Sequence, residues 1–457
     1  LVASLIAATV KAKVTLIERH QMGGDCLNTG CVPSKALIRS ARIAQYARRA
    51  EEFGLAPMSV EVNFPKVMQR VQNVIKTIEP HDSVERFTEL GVNCVQGDAK
   101  ILSPWEVEVN GHTLTAKNIV IATGARPRVP DIPGLAALDY LTSDTVWDIR
   151  DLPERLLVVG AGPIGCELAQ SFARLGSKVT LVTHADRLLP REDTEVSERV
   201  HAEFRRQHVK VHANYNPLFF DAAENEQTCV FSTPRGQRQL SFDRVLLAVG
   251  RSANVEGLGL ENLGIAVGPE GTVEVDAFLR TAIPTIFACG DVAGPYMFTH
   301  MASHQAWYAA VNALFGRFRT FKGDYSVVPW ATFTDPEVAR VGLNEDEARA
   351  ANIAFEVSRY ELSELDRAIA DGEAHGFIKV LTEPGRDRIL GATIVGYHAS
   401  ELINEFVLAM KLGLGLVQIL ATIHIYPSLS GGLTSLAGEW RTARKPEGLW
   451  RCVDRET

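Results

Sequence analysis

Leu156-Leu157-Val158-Val159-Gly160-Ala161-Gly162-Pro163-Ile164-Gly165 runs on through an apolar-periodic stretch at 164–175 to Lys178-Val179-Thr180-Leu181-Val182. It reads as strand, glycine turn, helix and strand. That is one βαβ unit, whose crossover is expected to be right-handed. The glycines form a G-x-G-x-x-G placed after a strand and at the start of a helix, the context in which this pattern binds a dinucleotide. Gly160 permits the tight turn, Gly162 lets backbone approach a pyrophosphate, and Gly165 lets helix pack on strand. The helix N-terminus then favours the phosphate charge. The competing reading is a plain βα turn without a ligand. The second strand runs into Thr183-His184-Ala185-Asp186-Arg187. An acid at that strand end would favour NAD. Its absence, with His184 and Arg187 close by, points to the 2′-phosphate of NADP, unless both are surface residues of a turn.

Upstream, 1–11 reads as a helix and 13–18 as a short buried strand. Segment 93–124 holds short alternating runs around Asn110-Gly111, a hairpin signal, and ends in a buried strand and the turn Ala122-Thr123-Gly124. Pro127, Pro130 and Pro133 mark a linker. Downstream, 245–249 is a strand ending in Gly250, and 286–290 is another strand and turn. Beyond about residue 325, segments 376–381 and 389–395 alternate like antiparallel strands. Residues 400–412 read as a helix that Gly413 stops. The fold class is therefore α/β, with an α+β unit at the C-terminus.

With 457 residues, 46% hydrophobic and 22% charged, the chain is long enough for about three domains and has ordinary globular composition. Its 47 basic and 55 acidic residues give a net charge of −8, so no general attraction to nucleic acid is expected. No apolar run reaches the roughly 18 residues of a membrane span. The opening apolar run lacks the basic flank and cleavage site of a signal peptide. There is no initiator Met, and the chain reads as a piece of a longer one. Seven cysteines suit a reducing compartment, the cytoplasm.

Cys26-Leu27-Asn28-Thr29-Gly30-Cys31 has no other obvious ligands nearby, so no structural metal is expected. In a regular helix the two Cα atoms would be about 7.5 Å apart along the axis, too far for a disulfide. A redox pair thus requires a break, which Gly23, Gly24 and Gly30 can supply. Pro33 suits a helix start just beyond. Cys31 would then lie at a helix N-terminus, which stabilises a thiolate. Two buried free thiols remain the alternative. Cys94, Cys166, Cys229, Cys289 and Cys452 are scattered singly and read as small apolar residues.

The run Gly23-Gly24-Asp25-Cys26-Leu27-Asn28-Thr29-Gly30-Cys31-Val32-Pro33-Ser34-Lys35 closely resembles the redox motif of the FAD-dependent pyridine nucleotide-disulfide oxidoreductases. That family includes dihydrolipoamide dehydrogenase, glutathione reductase and mercuric reductase. Ala122-Thr123-Gly124, Ala248-Val249-Gly250-Arg251, Ala288-Cys289-Gly290-Asp291-Val292 and Phe333-Thr334-Asp335-Pro336-Glu337 are similar to further motifs of the family. The resemblance implies two Rossmann-like dinucleotide-binding domains plus a C-terminal α+β dimerisation domain, in a homodimer. The expected spans are 1–150 and 273–324 for the FAD domain, 151–272 for the NAD(P) domain and 325–457 for dimerisation. It implies that Cys31 faces the flavin and Cys26 the substrate, that Lys35 and Glu167 pair beside the flavin ring, and that Glu18 bonds the FAD ribose. Asp291 would bond the ribityl chain, and Gly97 with Ala122, Thr123 and Gly124 would line the flavin cleft. Electrons would pass from NADPH or NADH through FAD and the Cys26–Cys31 disulfide to a small-molecule or metal-ion substrate.

Two departures from the family pattern stand out. Its first strand and flavin glycine motif would precede Leu1, so the chain as given is expected to bind FAD poorly. At the C-terminus, disulfide reductases carry a His before a Pro and a Glu beyond it. Here Tyr426 precedes Pro427 and Gly431 takes the Glu position, while His424 matches only an outer His. A Tyr in place of the base resembles mercuric reductase, although Cys452 stands alone where that enzyme has paired cysteines. The expected activity is reduction of a soft metal ion such as Hg(II), held at Cys26 and Cys31, with Tyr426 and His424 in the catalytic set. The alternatives are a dihydrolipoamide dehydrogenase or other disulfide reductase, and a non-catalytic truncated fragment.

Overall fold

A computed structural model describes residues 1–223 and 226–444; Cys452 lies outside them. The glycine turn sits where the sequence places it. Strand Arg155–Val159 leads to helix Pro163–Leu175 and strand Lys178–Val182. These strands join a four-stranded parallel sheet with Lys210–His212 outside Lys178–Val182 and Arg244–Leu247 on the far side of Arg155–Val159. Numbered by sequence, the order is 3-2-1-4, that of a doubly wound dinucleotide domain. The strands are nearly all apolar because both faces are covered, with Leu156, Val158, Val179 and Leu181 at most 2% exposed. A three-stranded antiparallel meander over Asn216–Ala223, Glu226–Thr233 and Gly236–Phe242, unassigned from sequence, flanks this sheet.

The flavin side is built from two parallel pairs, Thr15–Glu18 with Asn93–Gln96 and Ile119–Ile121 with Ile286–Ala288. The predicted hairpin is present, with Glu106–Val109 and His112–Thr115 joined through Asn110 and Gly111, both at positive φ. The two mononucleotide units communicate through one antiparallel pair, Arg251–Ala253 on Ala125–Pro127. The C-terminal unit is a five-stranded antiparallel sheet that contains the predicted strands as Phe377–Thr382 and Ile389–Gly396. Helix Ala399–Lys411 packs on it through Ile403, Phe406 and Ala409.

Buried ion pairs tie these units together. Arg42, on the helix Cys31–Arg48, reaches Glu337 at 3.2 Å. Arg174, at the end of the glycine-motif helix, reaches Asp335 at 2.8 Å. Lys379 is 1% exposed and meets three carboxylates: Asp193 and Glu195 of the coenzyme side at 2.5 and 2.6 Å, and Glu345 at 3.0 Å. Among the described residues no helix is long and apolar enough to cross a membrane.

Candidate active site

The redox segment folds as two helices with a break. Gly23 and Gly24 take φ of +93° and +64°, and a Cβ on Gly23 would lie 2.4 Å from Leu27 Cδ2. The chain forms the short helix Gly24–Asn28, leaves helical geometry at Thr29 and Gly30, and restarts as Cys31–Arg48. This break brings both thiols together. Both are free, and they lie close enough that hydrogen bonding between them shifts their ionisation in opposite directions. That bonding, the Thr299 hydroxyl and the nearby Lys35 ammonium outweigh burial and lower the Cys31 pKa to about 6. Cys26 is pushed up, by the same bonding and by burial. Thr299 Oγ1, on the first residue of the helix Thr299–Phe315, lies 3.3 Å from Cys31 Sγ. Two helix N-termini thus meet at this sulfur, each favouring negative charge.

Lys35 lies one turn beyond Cys31. Its Nζ is 2.9 Å from Glu167 Oε2 and 4.3 Å from the centre of the Phe333 ring. Glu167 is buried on the glycine-motif helix and accepts a second bond from Phe333 N. The expected Lys35–Glu167 pair is therefore formed between the two mononucleotide units.

Cys26, Cys31, Lys35, Glu167, Glu18, Gly97, Ala122, Thr123, Gly124, Asp291, Gly162, Arg187 and Gly250 all line one cleft of about 4840 Å³. That is well beyond the roughly 300–1,000 Å³ of an ordinary small-molecule pocket. Glu18 ends its strand with its carboxylate accepting from His20 N. Gly97 packs too tightly for a side chain, since a Cβ would meet Asn110 Oδ1 at 2.4 Å. The Thr123 hydroxyl donates to Asn254 O, and Asn254 N donates to Gly124 O, so this turn is stapled to the strand returning from the coenzyme domain. Burial raises Asp291 to about 6 against the pull of Arg251. The donor set fits FAD. Carboxylates stand ready for ribose and ribityl hydroxyls, a cation lies beside the thiols, and open space faces Gly124, where a Cβ would touch nothing within 4 Å.

The coenzyme motif has the geometry each glycine is expected to have. Gly160 sits at φ +115°, where a Cβ would meet Ala248 O at 2.2 Å. A Cβ on Gly165 would lie 1.9 Å from Gly160 O, and one on Gly162 would meet nothing within 4 Å. Gly162 thus faces open space on the cleft, while the other two are packed against protein. Thr183 is buried, with its hydroxyl accepting from Ala185 N, and His184 is exposed. The Arg187 guanidinium is already engaged, donating to Asp186 Oδ2 in the same turn and to Pro190 O, Glu192 O and Asp346 Oδ2, all at 3.3–3.5 Å.

Tyr426 and His424 do not line the cleft of their own chain. Tyr426 is 80% exposed, and its hydroxyl donates to Asp366 Oδ2 at 2.8 Å. His424 has both ring nitrogens engaged, Nε2 with Glu405 Oε1 at 2.8 Å and Nδ1 with Thr422 O at 2.9 Å. Sequence reasoning passed over Glu405, which holds His424 outside the cleft, and the cleft residues Thr299, Asp25 and Arg251. The last two lay within quoted motifs, but nothing local signals their contact.

A family model described as pyridine nucleotide-disulphide oxidoreductase matches residues 1–306, and the dimerisation domain of the same family matches 328–437. A dihydrolipoyl dehydrogenase of Chlamydia pneumoniae is 35% identical over 434 residues, covering 94% of this chain and 92% of the relative. A mercuric reductase of Streptomyces lividans is also 35% identical, over 441 residues, with the same coverage. Among solved structures, a Cu(II) complex of the HOCl-induced flavoprotein disulfide reductase RclA from Escherichia coli superposes with a TM-score of 0.84 at 28% identity, covering 95% of this chain and 96% of that one. These likenesses embrace the thiol pair, the glycine turn and the C-terminal sheet at once, and the chain belongs to the pyridine nucleotide-disulphide oxidoreductase family, which uses FAD and NAD(P)H.

Proposed function

We propose that the protein is an NAD(P)H-dependent reductase whose acceptor is a soft metal ion such as Hg(II), taken by Cys26 and Cys31. The observation that carries this reading is the engagement of both His424 nitrogens. A disulfide reductase needs a base to take and return thiol protons, a contribution of roughly 10²–10⁴-fold. Burial lowers the His424 pKa, but the Glu405 carboxylate and the Thr422 carbonyl raise it on balance, and they occupy both ring nitrogens. Tyr426 is no substitute, since its bond to Asp366 raises its pKa further above neutrality. Two sulfur ligands suit a soft metal, and a Cys31 thiol near 6 is ionised at neutral pH. The Cu(II) complex of RclA is a precedent for metal binding in a related flavoprotein.

Bound FAD supplies two-electron transfer between the nicotinamide and the thiol side of the cleft. In this reading Glu18 and Asp291 hold its ribose and ribityl hydroxyls, and the Lys35–Glu167 pair fixes the edge nearest the thiols. Gly160, Gly162 and Gly165 receive the pyrophosphate of the reductant. We assign NADPH as the preferred reductant, because Thr183 and not a carboxylate ends the strand and His184 is exposed beside it. Arg187 would have to leave its present acceptors to contribute.

The dimerisation domain supports a homodimer. Ile423, Ile425 and Tyr426 are at least 80% exposed, and Leu408 and Leu412 at least 60%, so an unpaired chain would leave a sizeable apolar face in water. In such a dimer the 423–426 segment is free to serve the partner's cleft. The cytoplasm suits a thiol pair that must be kept reducible.

The second reading, dihydrolipoamide dehydrogenase, rests on a relative of equal identity. Coenzyme oxidation measured with Hg(II), Cu(II), lipoamide and glutathione disulfide, each with NADPH and NADH, separates the two. Faster turnover of Hg(II) with NADPH is expected. Lipoamide turnover that exceeds Hg(II) and disappears in His424→Ala would overturn the metal reading.

A further inference from the structure

Arg251 opens the strand that returns from the coenzyme domain, directly after Gly250 at φ +111°. Its side chain is 14% exposed. Nη2 donates to Asp25, the residue before Cys26, and to Ala125 O at 2.8 Å, while Nε lies 3.5 Å from Asp291 Oδ2. Asp144 is a third carboxylate within its field, and one Asp144 oxygen is buried without a hydrogen-bond partner. One cation therefore serves three carboxylates around the thiols. The nearer ammonium, Lys35, is already held by Glu167.

We propose that Arg251 is a positioning residue for the thiol pair, a guanidinium that clamps Asp25 to Asp291 and keeps their negative charge from opposing the Cys31 thiolate. This rests on the reading of Cys26 and Cys31 as the redox pair. The groups facing Cys31 are Cys26 and Asp25 from the short helix, Lys35 from its own helix, Thr299 from the neighbouring helix, and Asp291. Asp25 and Asp291 are the anions of that set, and both touch Arg251. Clamping also fixes the short helix Gly24–Asn28, which carries Cys26, to the strand by which the coenzyme domain rejoins the flavin side. The same contact thus orients Cys26 toward Cys31 and offsets the charge beside them.

The test is the pH profile of iodoacetamide alkylation on the reduced holoenzyme, followed by peptide mapping. Arg251→Met should move the midpoint of Cys31 reactivity upward, slowing alkylation at pH 6 by about threefold or more, as expected for an unscreened charge several Å away. The double variant Arg251→Met with Asp25→Asn should restore most of that rate, which no general loosening of the fold would do. Asp25→Asn alone should leave the midpoint unchanged or lower it, and does not depend on the Met variant folding. An unmoved midpoint in Arg251→Met, or an upward shift in Asp25→Asn, would overturn the role of Arg251 and leave the redox pair standing. If Cys31→Ser keeps the low-midpoint thiol, both the pair and the role fall.

Discussion

At the scale of single residues, the two thiols pull each other's ionisation in opposite directions. Cys31 ionises near 6 chiefly because of its hydrogen bonding with Cys26. Alkylation of the reduced protein should therefore climb through about pH 6 and level off above it, since only the thiolate reacts. Cys26→Ala removes that partner, and the midpoint should rise toward the ordinary cysteine value of about 8.5. A profile unchanged by that substitution would mean that the bond is not what ionises Cys31. The C-terminal residues give a second forecast. Tyr426→Phe should slow Hg(II) reduction more than it slows electron transfer to artificial dyes. His424→Ala should leave Hg(II) reduction within about threefold, because its ring nitrogens are already held by Glu405 and Thr422. Steady-state rates with each acceptor decide both.

Elements explain what was legible in the sequence. The strand Lys178–Val182 is read to the residue because Val179, Leu181 and Val182 are buried and only Lys178 is exposed at its start. The Asn110-Gly111 turn is read because a tight hairpin needs positive φ at both positions. The meander from Asn216 to Phe242 escaped notice because only one face is covered. Phe220, Cys229, Phe231 and Phe242 point inward, and runs such as Gln237-Arg238-Gln239 face water. The thiol pair is local in sequence and so was visible. The Arg251–Asp25 contact spans 226 positions, and only the fold brings it about. His424 and Glu405 sit 19 positions apart on separate elements, so their pairing was equally hidden. The glycine turn yields a contrast. Gly165→Ala forces a Cβ to 1.9 Å from Gly160 O and should destabilise the protein by about 1–3 kcal/mol as an overpacked site. Gly162→Ala clashes with nothing in the chain, so it should keep the melting temperature and weaken coenzyme binding. Thermal unfolding and coenzyme titration of the two variants should separate in that way.

Across the whole molecule, the coenzyme side and the C-terminal sheet are joined at Lys379. Removing its charge as Lys379→Met leaves buried Asp193 without a cation, and leaves Glu195 and Glu345 with only Arg359 and Arg349. The loss should be about 3–5 kcal/mol, the usual result of breaking one side of a buried ion network. Denaturant titration checks it, and a change below about 1 kcal/mol would show that the carboxylates find other partners. The buried pairs Arg42–Glu337 and Arg174–Asp335 bind the remaining units in the same manner. A unit that melted by itself would strand charges of its neighbour in an apolar interior, and that cost discourages partial melting. Scanning calorimetry should accordingly show one endotherm with a van't Hoff enthalpy close to the calorimetric value, although chains of several domains often give separate peaks. Ionic strength should shift that endotherm little, because mobile salt cannot reach pairs closed off from solvent. Warmth would then extinguish coenzyme capture and thiol reactivity at a common temperature, and a protein heated to that point would lose both together.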